Sequence, residues 1–240
     1  FALDHNTTGS NNTTIGHNSL GANTTGDNNT AVGVNALDAN TTASHNTAVG
    51  QNALSSNNTG TNNTGIGSAA LASNTTGDGN TAVGRSALIE NQTASNNTGL
   101  GFEALKLTTT GSSNSAVGKS SLGSNTTGAQ NTSMGHNALV LNTTASNNTG
   151  LGYQALFANT TGDSNTAIGS GALDANTTGV SCVAVGFNAL GANTTANQNI
   201  AVGQNALGTN TTGTQNVAIG HDALDANTTG DFNTAVGSIA

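Results

Sequence analysis

Residues 29–45 read NTAVGVNALDANTTASH, and residues 46–62 repeat the pattern as NTAVGQNALSSNNTGTN. The same seventeen-residue unit runs through all 240 residues in about fourteen copies, without insertion or deletion. We number each unit from its first Asn. The fifth position is Gly in every copy, the ninth is Leu and the fourteenth is Thr. A fixed short period of this kind indicates a solenoid, in which each unit stacks on the next.

The composition of the unit favours β-structure over helix. Helical repeats are longer than seventeen residues, and Thr, Val and Asn suit short strands and turns better than helices. We therefore predict an all-β fold: a parallel β-solenoid (a left-handed β-roll or β-helix) of about fourteen coils, each with two or three short strands. The repeat spans residues 1–240 as one continuous region, which we expect to be a segment of a longer fibre.

Alternation within the strand predicts which side chains point inward. In Val217-Ala218-Ile219 the first and third residues share a face, and we expect Val217 and Ile219 inside with Ala218 outside. The third position of the unit is Ala, Gly or Ser in every copy but one. Outside the coil, such a ladder of small residues would let neighbouring chains approach closely. The alternative is that small residues merely suit a tight coil.

Two further positions predict how coils are held together. The invariant Gly at the fifth position is expected to take a backbone conformation that other residues avoid, at a bend. Asn occupies the first position except at Cys182 and the twelfth except at Thr108. Stacked amides can donate to one neighbour and accept from the other, so we predict Asn ladders along the solenoid.

The charge balance excludes several functions. The formal net charge is −8, and only three residues are basic. Nucleic-acid binding needs clustered Lys and Arg, and so does a polybasic membrane anchor. No apolar run approaches the roughly twenty residues that cross a bilayer. We therefore expect no nucleic-acid partner and no membrane insertion. Cys182 is the sole cysteine and cannot form an intrachain disulfide.

The motif that ends in an invariant glycine resembles a known family. Val183-Ala184-Val185-Gly186, Ile200-Ala201-Val202-Gly203 and Val217-Ala218-Ile219-Gly220 are similar to the repeats of YadA-like trimeric autotransporter adhesin heads (Hep/Hag type). The fuller unit, as in residues 152–156, also resembles repeats of bacterial and phage tail fibres. This resemblance implies a left-handed β-roll whose three chains pack side by side, although the unit here is longer than that family's.

No pattern predicts catalysis, a metal site or a cofactor. The five His residues fall in separate coils, and convergent acid, base or nucleophile groups are missing. Asp at the sixteenth position (Asp27, Asp78, Asp163 and Asp231) follows Gly, which invites a calcium hypothesis, but turn chemistry explains this pairing as well. We expect a protein that is not an enzyme.

Asn-x-Thr at the twelfth to fourteenth positions permits two interpretations. It is the acceptor sequence for N-glycosylation, and it is also what a strand needs when Asn and Thr share a buried face. Close spacing of the coils, about 4.8 Å, favours the buried face. The candidate acceptors are Asn6, Asn23, Asn40, Asn57, Asn74, Asn91, Asn125, Asn142, Asn159, Asn176, Asn193, Asn210 and Asn227.

The sixth position is the most variable and holds many of the aromatic, His and basic residues that are rare in this chain. We call its notable members the corner stripe and predict either a ligand-contact surface or a tolerant exposed corner. They are His17, Arg85, Phe102, Lys119, His136, Tyr153, Phe187 and His221.

These features together predict a structural or adhesive fibre shaft, located outside the cell or on a virion, that associates with itself as a homotrimer or filament. Its possible ligands are a cell surface, a glycan or ice. The alternatives are an ice-binding solenoid, with a rank of Thr that includes Thr7, Thr24, Thr41 and Thr75, and a glycosylated extracellular filament.

Overall fold

The computed structural model describes residues 1–240, which form two compact units, Phe1–Ser120 and Ser121–Ala240. All regular structure is β-strand, with one three-residue strand in every repeat. The first unit holds β1 (Thr13–Ile15), β2 (Thr30–Val32), β3 (Thr47–Val49), β4 (Thr64–Ile66), β5 (Thr81–Val83), β6 (Thr98–Leu100) and β7 (Ser115–Val117). The second unit holds β8 (Thr132–Met134), β9 (Thr149–Leu151), β10 (Thr166–Ile168), β11 (Val183–Val185), β12 (Ile200–Val202), β13 (Val217–Ile219) and β14 (Thr234–Val236).

Consecutive strands within each unit are parallel and in register, which confirms the predicted parallel β-solenoid. Thr30 pairs with Thr47 in the first unit, and Val183 pairs with Ile200 in the second. Each residue therefore stands beside the residue seventeen positions away. Identical side chains line up in ranks along each unit because the sequence period and the coil length are equal.

The number of strands per coil was predicted wrongly, since each coil has one strand instead of two or three. The other sides are joined by backbone hydrogen bonds outside regular strands: Leu37 N donates to Ala53 O (3.1 Å), and Thr24 N donates to Thr41 O (2.8 Å). The backbone around Leu37 is not an extended strand, because the seventh and ninth positions take left-handed conformations, as at Asn35 (φ 55°) and Leu37 (φ 52°).

The invariant leucines fill the centre of each coil. Twelve of them are fully buried, and all fourteen have φ between 51° and 54°. A left-handed conformation costs a residue with a side chain about 1–2 kcal/mol, whereas burying a Leu side chain gains about 1.5–3 kcal/mol. The burial offsets the strain, and the unusual φ directs the side chain inward.

The strand faces are the reverse of the prediction, so the expected chain interface on the third position was also wrong. Ala218 is fully buried, Val217 is half-buried, and Ile219 is 41% exposed. The space beside the central leucine is limited, since a Cβ added at Gly65 would lie 3.3 Å from Leu54 Cγ. The third position faces the central leucine and has space for little more than a methyl group. The larger second and fourth residues must therefore point outward.

Candidate functional site: the amide ladders and two exposed surfaces

The Asn residues at the twelfth position form the predicted ladder inside the coil. Asn40 donates Nδ2–H to Asn23 Oδ1 (2.9 Å), and Asn23 donates in turn to Asn6 Oδ1 (2.8 Å). Each Nδ2 also donates to the carbonyl three residues on in its own turn, such as Asn40 to Ala43 O (3.0 Å). One amide thus ties its coil to the preceding coil and closes its own bend.

This ladder bears directly on the glycosylation hypothesis. Eleven of the thirteen candidate acceptors are fully buried, and the other two, Asn6 and Asn227, are half-buried. A glycan attaches at Nδ2, the atom that donates both ladder bonds. Attachment at a buried rung would remove one of the two donor hydrogens on Nδ2 and place a sugar in the core. Packing therefore explains the Asn of the pattern. The expected shared buried face was wrong for the Thr, because the fourteenth position is exposed in every copy and lies outside the strands.

Asn at the first position forms a second ladder with a different geometry. Here Oδ1 accepts the backbone N–H of the next Asn, as from Asn46 N to Asn29 Oδ1 (3.0 Å). Its Nδ2 donates to the carbonyl of the fifteenth residue, as from Asn29 to Ala43 O (2.9 Å). Ala43 O thereby accepts from both ladders. The two Asn positions act as one network that satisfies buried backbone groups.

The twelfth-position ladder is interrupted where Thr108 replaces Asn. Asn91 Oδ1, one turn earlier, is buried and has no hydrogen-bond partner. We expect Thr108→Asn to raise the free energy of unfolding by about 1–2 kcal/mol, because its Nδ2 would satisfy this acceptor. Urea denaturation followed by circular dichroism measures the change.

Thr110→Asn is the matched control, because Thr110 is exposed in the same turn and surface substitutions stay within about 0.5 kcal/mol. Equal effects of the two substitutions would show that the orphaned acceptor at Asn91 carries no cost.

The first-position ladder is interrupted at Cys182, which is fully buried. Its backbone N still donates to Asn165 Oδ1 (2.9 Å), and its Sγ lies 3.4 Å from Ala196 O. Burial raises the pKa of the Cys182 thiol, although the N–H groups of Asn199 and Gln198 act in the opposite direction. The sulfur lies where an Asn amide oxygen would accept a hydrogen bond from the next coil. A buried thiol with a raised pKa is a structural cysteine and not a reactive one.

We expect Cys182→Asn to stabilise the fold by about 1 kcal/mol, because a strong amide donor and acceptor replace a weak thiol. Thermal unfolding under reducing conditions measures the effect. Cys182→Ala removes the thiol without supplying an amide and should not stabilise. If the alanine variant gained as much as the asparagine variant, the ladder would not be the cause.

The side chains of the four Asp residues in the calcium hypothesis accept hydrogen bonds from backbone N–H groups of the preceding coil. Asp78 Oδ1 accepts from Thr61 N (2.6 Å) and Thr61 Oγ1 (2.9 Å), and Asp231 accepts from Thr214 in the same way. Asp27 accepts from Ser10 N, and Asp163 accepts from Ser146 N. Each carboxylate stabilises the bend of the preceding coil, and no group of three or more His, Cys, Asp or Glu side chains could hold a metal ion.

The corner stripe is exposed at all eight predicted positions. In the first unit, the Arg85 guanidinium lies 5.0 Å from the centre of the Phe102 ring. In the second unit, the rings of His136 and Tyr153 are 5.7 Å apart. Residues seventeen apart are therefore neighbours on the surface. The stripe presents cations and rings to solvent.

A second surface was missed by the sequence interpretation, because the faces of the strand were assigned the wrong way round. We call it the strand face: the outward side chains at the second and fourth positions of every repeat. The second position is Thr or Ser in eleven copies, and the fourth is Val, Ile, Leu or Met in all fourteen. Ile66, Met134 and Ile168 are 40%, 53% and 39% exposed. No charged residue occurs at either position.

The Thr side chains of the ice-binding alternative form hydrogen bonds to the adjacent coil. Thr24 Oγ1 donates to Thr41 O (3.0 Å), and Thr75 Oγ1 donates to Gln92 O (3.0 Å). Thr7 makes the corresponding bond to Thr24 O (2.8 Å). These hydroxyl protons are committed to the adjacent coil, so this rank is poorly suited to order water.

A small cleft of about 200 Å³ lies near the start of the chain. In it, His5 Nδ1 lies 3.2 Å from Asp4 Oδ1 and 2.7 Å from Gly21 O. The remaining lining includes Asp38, and partial burial raises the pKa of its carboxyl. No Ser, Thr or Cys lines the cleft, so this Asp–His pair has no nucleophile to activate.

The fold and its surfaces define the class of protein: a parallel β-solenoid of tandem seventeen-residue repeats. No protein-family model matches the chain, and no curated protein is detectably similar to it in sequence. No helix is present that could cross a membrane.

Proposed function

We propose that this chain is a structural segment of an extracellular or virion fibre. The observation that carries the proposal is the continuous bonding of each unit along its stacking direction. Within each unit the coils repeat similar backbone bonds, and amide rungs such as Asn40 to Asn23 and Asn46 to Asn29 join them except where Thr108 and Cys182 replace Asn. Such a stack resists bending and extension, because any deformation must break several buried hydrogen bonds at once.

Self-association through the strand face is part of this proposal. The charged residues all fall at the sixth, seventh, tenth, eleventh and sixteenth positions of the repeat. Two copies of an acidic chain can therefore meet face to face at the strands without bringing carboxylates together. Burial of the exposed aliphatic rank then favours association. A homotrimer or a filament would both use this surface, in place of the third position that the sequence suggested.

The corner stripe suits presentation of weak contacts. The sixth position recurs once per coil, so a multivalent partner would meet several contact positions on one chain, each with its own side chain. Linked weak contacts gain affinity through effective concentration without any single strong site. A glycan or another cell-surface polymer is the kind of partner that this arrangement fits.

The mass of the purified chain under native conditions tests the structural proposal. We expect a discrete oligomer or a concentration-dependent series of larger species, because the exposed aliphatic rank favours association. A chain that stays monomeric at the highest soluble concentration would contradict the proposal.

Ice binding is a second candidate, and the strand face favours it over the Thr rank first considered. Outward Thr and aliphatic side chains stand there in two parallel, uncharged ranks along flat strands. A thermal-hysteresis assay tests this role, with Thr47→Lys as the variant because Thr47 points outward from β3. Hysteresis that the lysine abolishes would favour ice binding, and absence of hysteresis in the natural chain would eliminate it.

A further inference from the structure

One part of the strand face differs from the rest. The second position is Val183, Ile200 and Val217 in three consecutive repeats, and it is Thr or Ser in all the others. We propose that the outward face of β11–β13 is the nucleus at which this chain docks a second copy of itself. The inference rests on the proposed self-association and adds the part of the chain at which the contact begins.

The geometry brings six aliphatic side chains together. Val183 pairs with Ile200, and Ile200 pairs with Val217, so the three replacements lie side by side. The fourth-position residues Val185, Val202 and Ile219 form a parallel rank along the same three strands.

The two ranks point away from the interior. The intervening residues Ala184, Ala201 and Ala218 are all fully buried. Ile200 is 39% exposed, Val202 36% and Ile219 41%. The result is a block two side chains wide and three coils long, without a hydroxyl or a charge. We call this block the aliphatic block.

The core of the chain does not require the aliphatic block. Its side chains project from the coil, and the Ala and Leu core beneath is the same as in coils that carry Thr. Replacing an outward Thr by Val or Ile exposes more apolar surface to water, which costs about 25 cal/mol per Å² until something covers it. An exposed apolar patch that is wider here than in the neighbouring coils indicates a contact surface.

A second copy of the chain matches this surface in both charge and period. The strand face is uncharged, while the chain carries a net charge of −8, so a basic partner would find no acidic groups on the block. Side chains in the two ranks repeat once per coil, and another strand face has the same ridge spacing. Sheets pack face to face when such ridges interdigitate at about 10 Å, and an isologous contact needs the same patch on both copies.

The size of the block makes it a nucleus and not a complete interface. Stable interfaces bury about 1,200–2,000 Å² in total, which six aliphatic side chains per copy do not supply. The neighbouring strands of the second unit extend the contact, since Ile168 on β10 and Val236 on β14 are also exposed. The block contributes most where water is excluded completely, as interface hot spots do.

The test replaces the block by the residue that most other repeats carry. The variant Val183→Thr, Ile200→Thr, Val217→Thr keeps β-branched side chains and follows the pattern of ten other copies, so the coil should fold as before. Sedimentation equilibrium should show association at least about tenfold weaker than in the natural chain. Circular dichroism and hydrogen exchange check that the fold is intact.

The control is Val32→Thr, Val49→Thr, Ile66→Thr, which replaces the same side-chain types by Thr at the fourth position of β2–β4 in the first unit. It should weaken association much less. An associating chain whose block variant associates as strongly as before, or whose control variant loses as much, would overturn the nucleus and leave self-association standing. A natural chain that is monomeric would overturn both.

Discussion

Replacing Gly50 by Ala is expected to unfold the coils around it, with a loss of roughly 3–5 kcal/mol. Gly50 has φ +134°, a region that residues with a side chain rarely adopt. A Cβ at this position would also lie 2.6 Å from both the carbonyl carbon and the oxygen of Gly67 in the next coil. Because both obstructing atoms are backbone, the coils must separate to admit the methyl group.

Gly21→Ala is the control for this prediction. Gly21 has no positive φ, and its added Cβ would meet Asn18 O at 3.5 Å, an ordinary contact. The change should be neutral or stabilising by up to about 1 kcal/mol, because alanine loses less backbone entropy on folding. Urea titration measures both variants, and hydrogen exchange at β3 and β4 shows where protection is lost. Comparable stability of the two variants would contradict the argument from close stacking.

Asn57→Ala is expected to cost about 3–5 kcal/mol, because it removes three buried hydrogen bonds at one position. Asn57 Nδ2 donates to Asn40 Oδ1 (3.2 Å) and Gly60 O (2.9 Å), and its Oδ1 accepts from Asn74 Nδ2 (2.7 Å). The substitution leaves groups on both neighbouring coils without their partner in a site closed to water. The loss should therefore spread to the coils on either side.

The adjacent Asn58 offers a control of the same residue type. Asn58 is exposed, and its Oδ1 accepts one surface hydrogen bond from Thr41 Oγ1 (2.9 Å). Asn58→Ala should change the free energy of unfolding by no more than about 0.5 kcal/mol. Thermal and urea unfolding of the two variants compare a buried rung with a surface amide one residue apart. An equally small effect at Asn57 would mean that the ladder does not hold the coils together.

Much of the fold follows from the repeat because a strict period leaves few ways to stack. Invariant Leu and Gly positions at a seventeen-residue spacing predicted a solenoid with Leu inside and a bend at Gly, and all three features are present. Asn at two positions predicted amide ladders. The twelfth-position ladder has the predicted amide-to-amide form. The first-position ladder uses backbone N–H groups as donors, and some of its rungs add an amide-to-amide bond, such as Asn80 Nδ2 to Asn63 Oδ1 (3.2 Å).

The corner stripe and the strand face show how far this reasoning extends to function. Variability at the sixth position pointed correctly to an exposed corner, because residues that pack against nothing are free to vary. The strand face could have been recognised from the volume of the coil: beside one Leu per turn there is room for Ala, but not for two more β-branched side chains.

The amino-acid order alone established the period, the stacking and the residue types that meet between coils, since each depends only on what recurs at a fixed interval. Which side of each strand faces the core depended instead on three-dimensional packing. Alternation tells which residues share a face, but the space left around Leu in its left-handed conformation selects Ala for the interior. That selection turns the Thr, Val and Ile side chains outward and creates the uncharged surface on which the proposed association depends.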